Sequence, residues 1–154
     1  GAGYIEDTGL PTLLRDAQVL PIWEGTTNVL ALDALLRGDA AAALGALAER
    51  IAECRASVRD GVLAEVAARA SAAIEHVGAW LKDNSESVLL QAGARRVAIT
   101  IGRAWQLMLL IEQAQWQLDT DNDRSGIAAA TRFAASPIDI LATVSPGDSE
   151  SLLR

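Results

Sequence analysis

The sequence predicts an all-α fold, a helical arm followed by an antiparallel helical bundle, and three observations carry that expectation. Apolar residues recur at alternating three- and four-residue spacing over most of the chain, the period of one helix face. No segment shows the strict alternation of a half-buried strand, and no repeat of fixed period appears. Hydrophobic residues make up 51% of 154 positions, enough for one domain with a real core.

The first helix begins at Pro11, where a missing N–H is tolerated, and is apolar through Leu13, Leu14, Ala17, Val19 and Leu20 until Pro21 stops it. Pro21 biases Leu20 away from helix and Gly25 permits an unusual turn, so residues 22–25 are expected to be irregular. Thr26 or Thr27 then offers a side-chain oxygen to cap a second helix running through Val29, Leu30, Leu32, Leu35 and Leu36 to Gly38. Asp39 caps a third, with a stripe of Leu44, Leu47, Ile51, Cys54 and Val58, and Asp60-Gly61 breaks it. A fourth carries Leu63, Val66, Ala70, Ile74, Val77 and Leu81 and ends near residues 82–84. Ser85 caps the longest helix, whose stripe runs from Leu90 through Ala94, Val97, Ile101, Ala104, Met108 and Ile111 to Leu118. Leu89, Leu107 and Leu110 widen that face, and a helix apolar over so much of its girth is expected at the centre. A polar turn is expected over 119–123, then a short helix over 127–134 ended by Ser136-Pro137, then a loose tail.

Thirteen basic residues against twenty acidic ones give a formal charge of −7, a balance that repels nucleic acid and anionic lipid. Cys54 alone cannot form an internal disulfide, and no Cys/His cluster has metal-ligand spacing, so no metal is expected and the chain fits a reducing compartment. The longest apolar region, Val97 to Ile111, is too short to span a bilayer and is interrupted by Arg103. Arginine almost everywhere in place of lysine hints at a GC-rich bacterial genome, and with the lone cysteine and no span the expected location is a bacterial cytoplasm. The opening Gly1-Ala2-Gly3-Tyr4, with no methionine and no signal or transit pattern, is expected of a piece of a longer polypeptide.

Several patterns fail as sites. Asp119-Thr120-Asp121-Asn122-Asp123 resembles the start of a calcium loop, but Arg124 replaces the required glycine and Ala130 the bidentate glutamate. Gly1-Ala2-Gly3 lacks the third glycine and the preceding strand of a dinucleotide fingerprint. His76 stands alone among apolar neighbours and reads as packed or interfacial, and Cys54, on a core stripe, reads as inert. Arg95, Arg96 and Arg103 share one flank of the long helix, read as a solvated face paired with acids.

Glu24 is different, because it is an acid on a short loop between helices, flanked by Trp23 and by Gly25. An acid that loses hydration beside an indole can serve as a general base. The alternative is a solvated glutamate favouring the positive end of the next helix.

Three linked segments then weigh on that choice. Gly1-Ala2-Gly3-Tyr4, Leu13-Leu14-Arg15-Asp16-Ala17 and Ile22-Trp23-Glu24-Gly25-Thr26-Thr27-Asn28-Val29 resemble, in order and spacing, the pattern of the acyl-CoA dehydrogenases, G-G-x-G-[YF], [LM]-x-R-D-A and I-[YWF]-E-G-T-x-x-[IV]. The resemblance covers about the first quarter of the chain and implies FAD as cofactor and an acyl-CoA substrate. It gives Glu24 the role of base removing the α-proton of the thioester while flavin N5 accepts the β-hydride. The Glu24 backbone N–H would bind the thioester carbonyl, stabilising the developing enolate. Trp23 and Gly25 would line the acyl pocket, and Thr26 and Asn28 would contact FAD, although glutamine often stands at the Asn28 position. Gly1, Gly3 and Tyr4 resemble the segment reaching FAD bound mainly to a neighbouring subunit, which implies a homo-oligomer. An electron-transfer acceptor is a further implied partner. Arg15-Asp16 resembles a structural ion pair holding the arm.

Ordinary members end soon after the E-G-T helix, whereas this chain continues for more than a hundred residues. The resemblance divides it into the end of the dehydrogenase helical domain (1–38), a helical extension (39–136) and a tail (137–154). The extension and the wording Ile22-Trp23-Glu24-Gly25 look closest to the AidB-like branch, associated with DNA binding. The alternative function is therefore a DNA-binding or self-assembly module with a vestigial flavin site. From Ala41 onward eleven basic residues face fourteen acidic ones, which disfavours nucleic acid without excluding it. Alone, the fragment is expected to be inactive.

Overall fold

The computed structural model describes residues 1–23, 25–38, 40–84, 87–142, 147 and 151, the side chains at 41 and 87 excepted. Among these, every regular element is helical. A 3-10 turn, Glu6–Thr8, precedes α1 (Leu10–Val19), α2 (Thr27–Leu36), α3 (Ala40–Ser57), α4 (Gly61–Asp83), α5 (Ser87–Asp121) and α6 (Ser125–Ala135). Short connections at 58–60 and 122–124 turn successive helices back on one another.

The core lies where α3, α4, α5 and α6 meet. Ile51 and Cys54 from α3 meet Leu63, Val66, Ala70 and Ile74 from α4, and Ala104, Leu107, Met108 and Ile111 from α5. α6 adds Ile127, Ala130 and Ala134. These are the expected stripes, and α5 is central as its girth predicts, because it packs against α2, α3, α4 and α6. Much of the interface is alanine, so helix backbones approach closely, and two glycines take this further. A Cβ on Gly93 would stand 2.3 Å from the Trp80 ring, and one on Gly126 would stand 2.7 Å from the Ala114 Cα.

Two buried polar side chains organise the connections. Gln115 Oε1 accepts from the backbone N–H groups of Arg59 (2.8 Å) and Asp60 (3.3 Å). Its Nε2 donates to Asp119 Oδ1 at 2.9 Å. Asp60 then caps α4, its Oδ1 accepting from the N–H groups of Val62 and Leu63. Thr100, fully buried on α5, accepts from the Ile140 N–H at 3.1 Å.

The local expectations are corrected at four places. Leu20 is helical (φ −53°, ψ −39°), and the Val19 carbonyl accepts from both Ile22 and Trp23. Those two hydrogen bonds hold the turn against the steric pre-proline bias, and neither calls on the N–H that Pro21 lacks. Thr26 occupies the N-cap position of α2 but makes no side-chain capping hydrogen bond. α5 runs on through Asp119 to Asp121, and Asn122 ends it in the left-handed region (φ 53°), its N–H donating to the Leu118 carbonyl. A short asparagine tolerates that conformation as few other residues do.

Residues 137–142 are docked rather than loose. Ile138 is buried, and Arg103 donates to the Pro137 carbonyl at 2.7 Å while stacking over Phe133. His76, expected to stand alone, meets Asp139 of this segment at 2.5 Å and is half exposed. The expected caps Asp39 and Ser85 lie outside the described residues.

Candidate functional site

The connection between α1 and α2 carries the residues of interest. Pro21, Ile22 and Trp23 continue the turn after α1, and Trp23 is 55% exposed. Glu24 lies outside the described residues. Gly25 has φ +123°, and a Cβ there would meet the Leu30 side chain at 3.3 Å. Glycine is therefore favoured here by backbone conformation, with the Leu30 side chain leaving little room besides. Thr26 is extended (φ −68°, ψ 155°) and starts α2, whose second residue is Asn28. Trp23, Gly25, Thr26 and Asn28 are thus presented together by one tight connection at the opening of a helix.

Gly1, Gly3 and Tyr4 form a separate turn, closed by the Tyr4 N–H to the Gly1 carbonyl at 3.0 Å, with Tyr4 87% exposed. Among the described residues no hydrogen bond joins this turn to the Trp23–Asn28 segment. Arg15 pairs with Glu6 rather than Asp16, two parallel contacts of 3.1 Å joining guanidinium and carboxylate, and this exposed pair ties the 3-10 turn to α1 within the arm rather than fastening the arm to the bundle. Leu13, Leu14, Leu20 and Ile22 are all more than half exposed, so the arm presents an apolar surface beside the candidate site.

A cavity of about 500 Å³ opens between α2 and α5, lined by Asn28, Leu32, Gln91, Arg95, Arg96 and Ile99 among others. Arg95 Nη1 donates to Asn28 Oδ1 at 3.3 Å, across 67 residues of sequence. Arg95, Arg96 and Arg103 meet no carboxylate among the described residues, contrary to the expectation of a flank paired with acids. The reason is in the sequence of α5 itself, which has no acid from residue 87 to residue 111, so helical pairing three or four residues away is impossible there. The contact of α5 with the first turn of α2 has no local signal in the sequence.

A second cavity, about 1100 Å³, lies between α3 and α4 and is lined largely by alanine, glycine, leucine and isoleucine. Cys54 borders the same core, and burial pushes its thiol up to about 11, with the Glu112 carboxylate adding to the effect. Such a thiol is a core residue and not a nucleophile. Among the described residues no group of His, Cys, Asp or Glu could hold a metal ion.

Residues 42–150 match the family model described as Acyl-CoA dehydrogenase 11 C-terminal domain-like. The chain belongs to the acyl-CoA dehydrogenase family. It is a C-terminal part of such a protein, and the family model begins a few residues after α2. The chain is similar to the acyl-CoA dehydrogenase family member 11 of Caenorhabditis elegans, 40% identical over 122 residues. That alignment covers 74% of this chain and 20% of the relative. It is also similar to the 3-methylmercaptopropionyl-CoA dehydrogenase of Ruegeria pomeroyi, 30% identical over 151 residues, 87% of this chain and 26% of that protein. The chain thus spans 20% to 26% of the length of these acyl-CoA dehydrogenases. No solved structure matches it. No helix among the described residues is long and apolar enough to cross a membrane.

Proposed function

We propose that this acyl-CoA dehydrogenase segment belongs to an FAD-dependent enzyme that desaturates acyl-CoA thioesters, and that its α1–α2 connection carries the catalytic base, Glu24. One observation carries the reading: an E-G-T segment, Glu24-Gly25-Thr26, whose Gly25 adopts a left-handed backbone that only glycine holds without strain, directly before a helix start.

The residues fit a flavin in two respects. The Thr26 hydroxyl makes no capping bond, so it is free to bond to a cofactor, and Asn28 keeps its amide N–H groups while its oxygen is engaged by Arg95. FAD, when bound, supplies the hydride acceptor. In this reading Glu24 takes the α-proton, its backbone N–H supports the thioester carbonyl, and Trp23 and Gly25 bound the acyl site and exclude water. Gly1, Gly3 and Tyr4 face a flavin shared across a homo-oligomer, which suits the exposure of Tyr4. Electrons then pass to a separate acceptor. The exposed apolar side chains of the arm support the view that the rest of the enzyme packs there, and the segment by itself is inactive.

Placement near the AidB-like branch rests on the wording around Trp23 and on the extension. Its DNA-binding alternative draws little support from the extension's arginines. Arg50, Arg59 and Arg124 are spent on Glu112, Asp119 and Asp60, and Arg69 and Arg103 on backbone carbonyls.

The test is the flavin spectrum of the full-length protein on addition of acyl-CoAs of several chain lengths, wild type against Glu24→Gln. Substrate-dependent bleaching that disappears in the variant is expected. Bleaching that survives the substitution would overturn the assignment of the base.

A further inference from the structure

We propose that the groove between α2 and α5 is a binding subsite for a diphosphate group, held by Arg95 and Arg96 from the extension together with Asn28. The proposal deepens the flavoenzyme reading and rests on it only for the sources of the diphosphate.

Charge makes the first argument. The chain carries a formal −7, and Arg15, Arg37, Arg50, Arg59 and Arg124 each pair with a carboxylate. In this one groove two consecutive arginines line a cavity of about 500 Å³ with no acid among its lining residues. Arg95 touches only the neutral Asn28 oxygen, and Arg96, partly buried, has no hydrogen-bond partner among the described residues. Two positive charges that line one cavity without a carboxylate there favour an anion in it. Nothing on α5 can supply it, since residues 87–111 include no acid.

Shape makes the second. Arg95 is oriented by Asn28, so part of its ordering cost is met before any ligand arrives, and a planar guanidinium so held matches two oxygens of one phosphate. The groove floor is apolar, with Leu32, Ile99 and Ile140, which weakens screening and strengthens a charge-assisted bond. The Asn28 amide N–H groups add donors and no negative charge. A group with two negative charges and several acceptor oxygens satisfies this set, while a single carboxylate leaves one arginine unpaired. Adenine dinucleotides and coenzyme A thioesters both carry such a diphosphate.

The experiment uses the full-length protein and titrates inorganic pyrophosphate, ADP and coenzyme A by calorimetry against wild type, Arg95→Ala/Arg96→Ala and Arg95→Lys/Arg96→Lys. Arg132→Ala, an exposed arginine without a carboxylate partner among the described residues, serves as control. Pyrophosphate affinity is expected to fall about tenfold or more in the double alanine variant, to recover in part with lysine, and to stay unchanged in the control. A fall in bound flavin at unchanged coenzyme A affinity assigns the diphosphate to the dinucleotide. A weakened coenzyme A affinity at unchanged flavin assigns it to the thioester. Thermal unfolding of each variant tells a lost site from a lost fold, and the lysine pair keeps the test decisive if the alanine pair unfolds. Equal pyrophosphate binding in all folded variants overturns the proposal, as does an equal loss in the control. So does salt-steep duplex DNA binding that alone depends on Arg95 and Arg96. Loss of Glu24-dependent bleaching with intact arginine-dependent pyrophosphate binding would sink the enzymatic reading and leave this subsite standing.

Discussion

Gly93 on α5 lies so close to Trp80 on α4 that a methyl group added to it would overlap the indole at 2.3 Å. The two residues set the spacing of the helix pair that forms most of the core. Alanine at 93 would gain about 1 kcal/mol in helix propensity, whereas overpacking a tight contact costs about 1 to 3 kcal/mol. The clash is with a stiff aromatic ring, so the second effect is expected to win. Gly93→Ala should lower the midpoint of thermal unfolding, and Trp80→Leu in the same chain should recover part of the loss. A Gly93→Ala protein as stable as wild type would show that the indole moves aside freely.

Gln115 ties α5 to the α3–α4 connection with one side chain, and its loss should be felt at that connection first. Gln115→Met keeps the volume but removes the acceptor for the N–H groups of Arg59 and Asp60. Both N–H groups are only part-buried, so water can replace the lost acceptor in part and the cost is expected at the low end, about 1 kcal/mol. Chemical denaturation should show a shifted midpoint at unchanged slope. Hydrogen exchange should rise first at residues 59 and 60.

Acid should loosen the same corner. The Arg59 hydrogen bond holds the Asp119 carboxyl below its ordinary range, with Gln115 adding to it, and the Ser125 hydroxyl and N–H do the same for Asp123. A carboxyl whose folded value is depressed contributes stability above the unfolded value of about 4, and that stability is lost as the pH falls through the folded value. Thermal midpoints measured downward from neutral pH should therefore decline below about pH 4, less steeply in Asp119→Asn. Both groups are well exposed, so high salt should flatten the difference.

What could be read in the sequence follows from how local each signal is. The stripe Leu63, Val66, Ala70, Ile74, Val77 is buried as its spacing implies, because helical period and burial are the same fact viewed twice. Gln115 and Thr100 were passed over because polar residue types read as surface, and only the fold shows that each satisfies backbone groups of another segment. The Trp23–Asn28 segment was legible as one unit because it is contiguous. Arg95 reaching Asn28 was not, since 67 residues separate them. The absence of acids along residues 87–111 was available all along, and it already ruled out the helical ion pairs expected for Arg95 and Arg96.

Cys54 should behave as a buried thiol. Burial and the Glu112 charge raise it from 9.0 to about 11, so at pH 8 only about a thousandth is thiolate in the folded protein. Native chain should react with a thiol reagent at pH 8 only at the rate of its unfolding, and at once in denaturant. A group whose folded value is raised contributes stability that is complete below the unfolded value and lost as the pH climbs through about 11. An alkaline decline between those two points is expected, and prompt labelling of native protein would contradict the burial.

Thr100 makes the docking of residues 137–142 testable without disturbing the core. Valine has nearly the same shape, so Thr100→Val leaves packing on α5 intact and removes only the oxygen that accepts from the Ile140 N–H. Ile140 is partly exposed, so water can replace the lost partner, and the global cost should be at the low end, about 1 kcal/mol. The local effect should be larger than the global one. Arg103 on Pro137 and His76 on Asp139 remain, and both sit on the surface, where hydrogen bonds and ion pairs contribute least. Exchange of the Ile140 amide should therefore speed up and proteolysis after residue 136 should become easier, while the unfolding midpoint barely moves. If the amide stays protected in the variant, then the buried Ile138 side chain, and not Thr100, is what fastens this segment to the bundle.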